Sequence, residues 1–322
     1  MTYEEILRLP KIELHCHLDG SLSVPFVQKV LGAEVSAQML QVGMECESLT
    51  EYLSKFDLPL QCLISRKNLS DAAFELLRTV SRENVRYIEV RFAPMLSVSE
   101  GLSAEQVIAA VLEGLRKGRE KYQVDFNVIV CAMRHHNSRE NIKMLKAAAH
   151  FLGKGVCGAD LAGDENKYPM NEFGYLMREA QDLGFPMTVH AGETGNVQNI
   201  WDAVNMGAKR IGHGIAMSGR EDLKKVCVQK GIGFELCPIS NMQTKAATKE
   251  NYPIREFLER GLKVTVNTDN RLVSHTSLTE EIDFLQKNYG LEEREICSLM
   301  RNAVEVSFAD DKLKEKLYGM YE

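Results

Sequence analysis

Short apolar runs, each closed by a polar or small residue, alternate with amphipathic stretches along the 322 residues of this chain. Lys11–His17 reads as a first strand, and alternation puts His15 and His17 on one face, with Leu14 and Cys16 on the other. Residues 85–92 form a second run, stopped by Pro94, and residues 124–131 and 155–161 a third and a fourth. A fifth closes at His190. A sixth, over 208–212, meets His213 at its end. A seventh, over 231–236, ends at Cys237-Pro238, and an eighth, over 261–268, ends at Asp269. In the eighth, alternation places Thr265, Asn267 and Asp269 on one face.

Helical patterns fill the intervals. One covers residues 47–66, and another follows Ser70-Asp71, which supplies an N-cap candidate. Ser103 and Gln106 form a capping-box pattern. Behind it Val107, Ile108, Val111, Leu112 and Leu115 recur at helical spacing as a core face. Residues 199–206 predict a short helix, and three more helices follow Ser277. Eight strands alternating with helices predict an α/β chain folded as a (β/α)8 TIM barrel, a single domain over 1–322. The additional helices fall after strand one and at the C-terminus.

Composition narrows the class. The hydrophobic share of 44% supports a large core, and the formal net charge of -6 offers no basic excess to neutralise phosphates. The acidic N-terminus lacks the apolar core of a secretion signal, and no apolar run is long enough to span a bilayer. The eight cysteines never stand in a C-x-x-C pair, which points to buried free thiols in a reducing cytoplasm. A cytoplasmic protein without nucleic-acid or membrane partners is expected.

The chemistry gathers at strand ends, where barrel active sites form. His15, His17, His190, His213 and Asp269 all fall there, from strands one, five, six and eight. Imidazoles with one carboxylate suit a borderline divalent ion, zinc first, with iron, cobalt or manganese as alternatives. A catalytic zinc lowers the pKa of a water from about 15.7 towards ~7. Glu193, two small residues beyond His190, is placed to move protons, and His213 either to ligate or to orient the attacking water. Spacing alone reaches a mononuclear metal-dependent hydrolase.

The stretches Lys11-Ile12-Glu13-Leu14-His15-Cys16-His17-Leu18-Asp19-Gly20, His190-Ala191-Gly192-Glu193, Gly212-His213-Gly214 and Asn267-Thr268-Asp269 resemble the signature set of the adenosine deaminase family, most closely its bacterial members. Residues 160–165 and Cys237-Pro238-Ile239-Ser240-Asn241 fit as well. The resemblance implies one Zn2+ per chain bound by His15, His17, His190 and Asp269. It implies hydrolytic deamination of adenosine or deoxyadenosine to inosine or deoxyinosine and ammonia, as in purine salvage. By the same resemblance Glu193 protonates purine N1, while His213 and Asp269 position the attacking water. The Gly163 N–H would hold N3, and Asp19 with His17 would meet the ribose 5′-hydroxyl. Leu53 and Phe56 would belong to an apolar lid, with packing inside the helix as the equal alternative. A purine nucleoside and water are thus the expected partners, with a monomer or weak homo-oligomer as the assembly.

One position departs from the pattern. Many family members follow the metal aspartate with a second aspartate that donates to purine N7, whereas this chain has Asn270 and then Arg271. An amide is a permanent donor, so base recognition is expected to survive the change. The nearest rival functions are deamination of adenine or of another 6-substituted purine nucleoside or nucleotide. Further off lie metal-dependent opening of a cyclic amide or ester, and a non-catalytic nucleoside-binding protein on the same barrel. The H-x-E and P-C-x-x-C zinc signature of cytidine-type deaminases is absent. Arg91 is a candidate anchor for a carboxylate at the barrel mouth. His135 and His136 are candidate neighbours of the site or hydrogen-bonded loop or core residues, and His150 and His275 read as structural or surface positions.

Overall fold

The computed structural model describes residues 1–47 and 49–321. Eight parallel strands lie in two four-stranded sheets, β1-β2-β3-β4 and β5-β6-β7-β8. They are β1 Lys11–His17, β2 Val85–Phe92, β3 Asp125–Met133, β4 Val156–Ala162, β5 Thr188–Ala191, β6 Arg210–His213, β7 Gly233–Leu236 and β8 Lys263–Val266. Two isolated parallel bridges close the ring. Ala159 pairs with Met187 between β4 and the start of β5, and Cys16 pairs with Asp269 between β1 and the chain leaving β8. At the second seam His17 N–H donates to Asp269 O at 2.7 Å and Asp269 N–H donates to His15 O at 2.9 Å. The barrel is therefore sewn shut by the backbone of residues that carry candidate site chemistry.

The helices wrap the outside. Side-chain caps mark the starts of several of them, and Ser103 and Gln106 make the reciprocal capping box of the helix Ala104–Tyr122. Val107, Ile108, Val111, Leu112 and Leu115 are all buried on its inner face. Ser70 does not cap. It lies inside the helix Arg66–Ser81, whose N-cap is Ser65, bonded to Asn68 N at 3.2 Å. The two long helices pack closely at that point, because a Cβ on Gly114 would sit 2.0 Å from the Ser70 carbonyl oxygen.

The helix expected over 47–66 is instead broken into Leu49–Ser54 and Asp57–Cys62; Ser48 lies outside the described residues. Pro59 has no N–H to continue a helix from Lys55, but at the third position of a new helix none is needed. The extra helices after β1, and Leu278–Tyr289, Glu293–Val306 and Asp311–Tyr318 at the end, stand where expected. Among the described residues no helix is long and apolar enough to cross a membrane. All eight cysteines are free thiols, and all but the half-buried Cys297 are buried.

The barrel interior carries charge as well as aliphatic side chains. Arg91 on β2 bonds Asp160 on β4 at 3.0 Å and Glu235 on β7 at 2.8 Å. Arg210 on β6 bonds Glu235 at 2.6 Å and Glu89 on β2 at 2.6 Å. All five are fully buried, which is tolerable only because each charge is paired and hydrogen-bonded. This network lies directly beneath the histidines.

Candidate metal-dependent active site

The β1 ladder skips register between Glu13 and Cys16, and the strand still presents His15 and His17 together, ring centroids 5.3 Å apart. His190 from β5 and His213 from β6 close around them, with centroids 4.6 and 5.0 Å from His15. Asp269 arrives by a different route from the expected one. β8 stops at Val266, and Asp269 takes a left-handed φ of 61°. A side-chain alternation that runs through 269 therefore does not place it. Asn267, the residue expected to share its face, instead accepts Leu14 N–H at 2.9 Å and fastens the β1–β8 seam. His213 also has a positive φ, 62°. Two non-glycine site residues in this sparsely populated region mark local strain held by the surrounding fold.

Three ring nitrogens and a carboxylate oxygen face one another. Asp269 Oδ1 is 3.3 Å from His15 Nε2 and 3.5 Å from His17 Nε2. His17 Nε2 is 3.2 Å from His190 Nε2. The ligand atoms of His15, His190, His213 and Asp269 lie within 4.8 Å of one another, as do those of His17, Asp160 and His190. His15 Nε2 is buried without a hydrogen-bond partner. The far ring nitrogens are engaged: His15 Nδ1 contacts Glu235 at 2.9 Å, and His190 Nδ1 contacts Asp160 at 3.0 Å. Glu235 is held well below the usual carboxylate range because Arg91 and Arg210 outweigh its burial. Asp160 is likewise held down, by His190 and Arg91 against burial. Both stay ionised and accept the Nδ1 hydrogens, which leaves the Nε2 lone pairs for a cation. Burial keeps His17 neutral by pushing its pKa well below the imidazole value. This donor set fits a divalent metal of the zinc type.

Around the cluster the loops are built to hold acid–base groups. Gly192 has φ +72°, and a Cβ there would lie 2.4 Å from Ile200 Cδ1, so the turn after β5 requires glycine. Glu165, buried after β4, accepts Gly192 N–H at 2.8 Å and Thr194 N–H at 2.7 Å, clamping both sides of Glu193. Glu193 Oε2 stands 3.7 Å from His213 Nε2. Burial pushes the Glu193 carboxyl well above its usual range, and the charges of Asp269 and Glu165 push it further. A cleft of about 280 Å³ borders it, lined also by Asn166, Thr194, Gly195, Thr244, Lys245 and Ala246.

Asp19 lies 3.8 Å from His17 Nδ1, and its Oδ1 is buried without a partner. Burial raises its carboxyl to about 6 against the pull of backbone N–H groups. Gly163 follows β4 with φ +107°. The Asn270 amide is not simply open: Nδ2 donates to Tyr52 Oη at 3.1 Å, and the buried, unpaired atom is Oδ1. Tyr52 also bonds Ser274 Oγ at 2.7 Å, tying the helix Leu49–Ser54 to this corner. Phe56 packs against the Tyr52 cluster, while Leu53 is exposed, so packing does not account for Leu53. His135 and His136 meet edge to face, and His150 and His275 are exposed.

Glu235 and Arg210 were not singled out from sequence, while Asp160, Ser240 and Asn241 stood in stretches that fit the family pattern without a role of their own. Glu235, Asp160 and Arg210 orient the ligands or their partners, Ser240 donates to Asp269 Oδ2 at 2.7 Å, and Asn241 meets His213 Nδ1 at 3.0 Å. The available signal was a lone charge inside an apolar strand, as in Phe234-Glu235-Leu236. Arg91 does anchor carboxylates, but inside the barrel rather than at its mouth.

The family model described as adenosine deaminase matches residues 10–320. An adenosine deaminase of Clostridium perfringens is 40% identical over 324 aligned residues, covering 97% of this chain and 98% of that one. The crystal structure of the Arabidopsis N6-mAMP deaminase superposes with a TM-score of 0.88 at 26% identity, over 99% of both chains. A zinc-bound amidohydrolase from Burkholderia ambifaria shares the fold, with a TM-score of 0.89 at 23% identity over 99% of this chain and 91% of that one.

Proposed function

Because this chain belongs to the adenosine deaminase family, we propose that it hydrolyses the 6-amino group of adenosine and deoxyadenosine, releasing inosine or deoxyinosine and ammonia. The observation that carries the chemistry is Glu193. It is a carboxyl that burial pushes well above its usual range, 3.7 Å from His213 and beside a converging imidazole–carboxylate donor set. In this reading His15, His17, His190 and Asp269 hold one zinc ion. When bound, the metal supplies Lewis acidity, bringing the pKa of a water towards ~7.

The chain's own groups do the rest. Glu193 hands its proton to purine N1, which makes C6 electrophilic. His213 and Asp269 orient the water towards C6, and His213 stabilises the charge that develops there. The Gly163 N–H holds N3, and the second amide hydrogen of Asn270, the one not given to Tyr52, serves N7. The unpaired Oδ1 of Asp19 accepts the ribose 5′-hydroxyl, with His17 beside it. That buried carboxylate would repel a 5′-phosphate, so nucleoside is favoured over nucleotide. Leu53, exposed above the Tyr52 corner, serves as part of an apolar lid with Phe56. We further read the chain as one domain over 1–322, a cytoplasmic monomer or weak homo-oligomer acting in purine salvage.

The test is a panel of adenosine, deoxyadenosine, adenine and N6-methyl-AMP, each incubated with zinc-loaded protein while its ultraviolet absorbance is followed. The nucleosides should have the largest kcat/KM. A larger value for adenine or for the nucleotide would reassign the substrate.

A further inference from the structure

His213 meets the site through Nε2 and meets the protein through Nδ1, which lies 3.0 Å from Asn241 Nδ2. Asn241 is fully buried in the helix Pro238–Gln243. Its N–H donates to Cys237 O at 2.9 Å, and its carbonyl accepts Ala247 N–H at 3.1 Å, so its backbone is fixed on both sides. Its side-chain Oδ1 accepts the hydroxyl of Tyr252 at 3.4 Å. Tyr252 is itself buried, and among the described residues its hydroxyl has no other partner.

The polarity of this chain of bonds follows from counting donors. With Oδ1 towards Tyr252, the tyrosine O–H has an acceptor and the amide N–H finds a lone pair on His213 Nδ1. Reversing the amide would leave the buried tyrosine proton with no acceptor, an arrangement folded proteins avoid.

We propose that Tyr252 and Asn241 are positioning residues that lock His213 in its neutral Nε2–H tautomer, so that it donates a hydrogen bond into the site and does not ligate the metal. This deepens the reading given under the proposed function and rests on it. It also resolves the geometry of the cluster. Four ligand atoms of His15, His190, His213 and Asp269 lie close enough to share one ion, yet the nitrogen of His213 that faces the site carries a hydrogen. The oxyanion-type role then belongs to His213, and losing one such donor costs about 10²–10³ in kcat.

The test is tautomer-resolved 15N NMR of protein labelled at histidine, metal-free and zinc-loaded, with the His213 resonances assigned by their loss in His213→Asn. The wild type should show a protonated Nε2 and a bare Nδ1 in both states. Asn241→Asp, whose carboxylate demands a donor, should reverse the pair, and kcat for adenosine should fall about 100-fold or more with KM nearly unchanged. Tyr252→Phe keeps the ring packing but frees the amide, and should populate both tautomers with a smaller fall in kcat. An Nδ1–H tautomer in the wild type, a zinc-coordinated Nε2 at His213, or an unchanged tautomer in Asn241→Asp would overturn the proposal. If wild-type protein showed the Nε2–H tautomer but did not deaminate adenosine, the substrate reading would fall and the tautomer assignment would stand.

Discussion

Glu235 Oε2 lies 2.9 Å from His15 Nδ1, and the same oxygen takes a 2.8 Å hydrogen bond from Arg91. One carboxylate thus sets the orientation of a candidate metal ligand and pairs with two buried arginines, Arg91 and Arg210. Glu235→Gln should lower zinc affinity about 10- to 100-fold, the usual cost of losing such a partner. It should also destabilise the fold by about 1–3 kcal/mol, since Arg91 and Arg210 each lose one charged partner while Asp160 and Glu89 still pair them. Chelator competition and denaturant unfolding measure the two effects separately.

Ser240 reaches Asp269 from the other side, donating to Oδ2 at 2.7 Å. Ser240→Ala should reduce kcat/KM for adenosine about 10- to 100-fold, because Asp269 loses the contact that fixes its rotamer. The folded state should be nearly unaffected. A midpoint of denaturation shifted by as much as that of Glu235→Gln would point to a structural role instead.

Glu193 predicts the alkaline side of the pH profile. Its carboxyl is raised by burial and by the charges of Asp269 and Glu165, so the proton-donating form persists to higher pH than in a free glutamate and is lost as pH climbs through that raised value. The kcat/KM of the wild type should therefore fall on the alkaline side. Glu193→Gln should be slower by about 10²–10⁴-fold and should lack that limb. A profile identical in both proteins would remove Glu193 from proton transfer.

How much of this was legible from sequence depended on the face a residue occupies. The strand ends were legible, since His190, His213 and Asp269 interrupt apolar runs and the barrel concentrates such residues at one mouth. The supporting charges were less so, because parallel strands are buried on both faces and Glu235 carries no periodic sign of pointing inward, while Asp160 stood in a fitting motif without a role. The left-handed turns at His213 and Asp269 are likewise absent from a two-residue repeat. Ser70 was misleading for a local reason: serine favours caps, but tight packing on Gly114 holds it inside a helix. At Asn270 the amide's competing partner, Tyr52, lies 218 residues away in sequence.

Glu281 supplies a test of stability rather than catalysis. It is buried, accepts Ile239 N–H at 3.0 Å at the start of the helix bearing Ser240 and Asn241, and leaves Oε1 unpaired. Burial raises its carboxyl well above the usual range. The folded state therefore binds a proton that the unfolded chain has released, and stability falls as pH rises from the unfolded pKa towards the folded one. Glu281→Gln removes the ionisation. Its stability relative to wild type should improve progressively from pH 4 to pH 8 in urea unfolding, and a constant difference would contradict the assignment.

Hydrolytic deamination is assigned to this one site. The most direct measurement is the stoichiometry of inosine and ammonia released from adenosine by zinc-loaded wild type, with chelated protein and Glu193→Gln alongside. One inosine and one ammonia per adenosine consumed, with turnover abolished by chelation and reduced by at least about 100-fold in Glu193→Gln, is the predicted result. Zinc-loaded protein that leaves adenosine unchanged, or turnover that survives both chelation and loss of the Glu193 carboxyl, would contradict it.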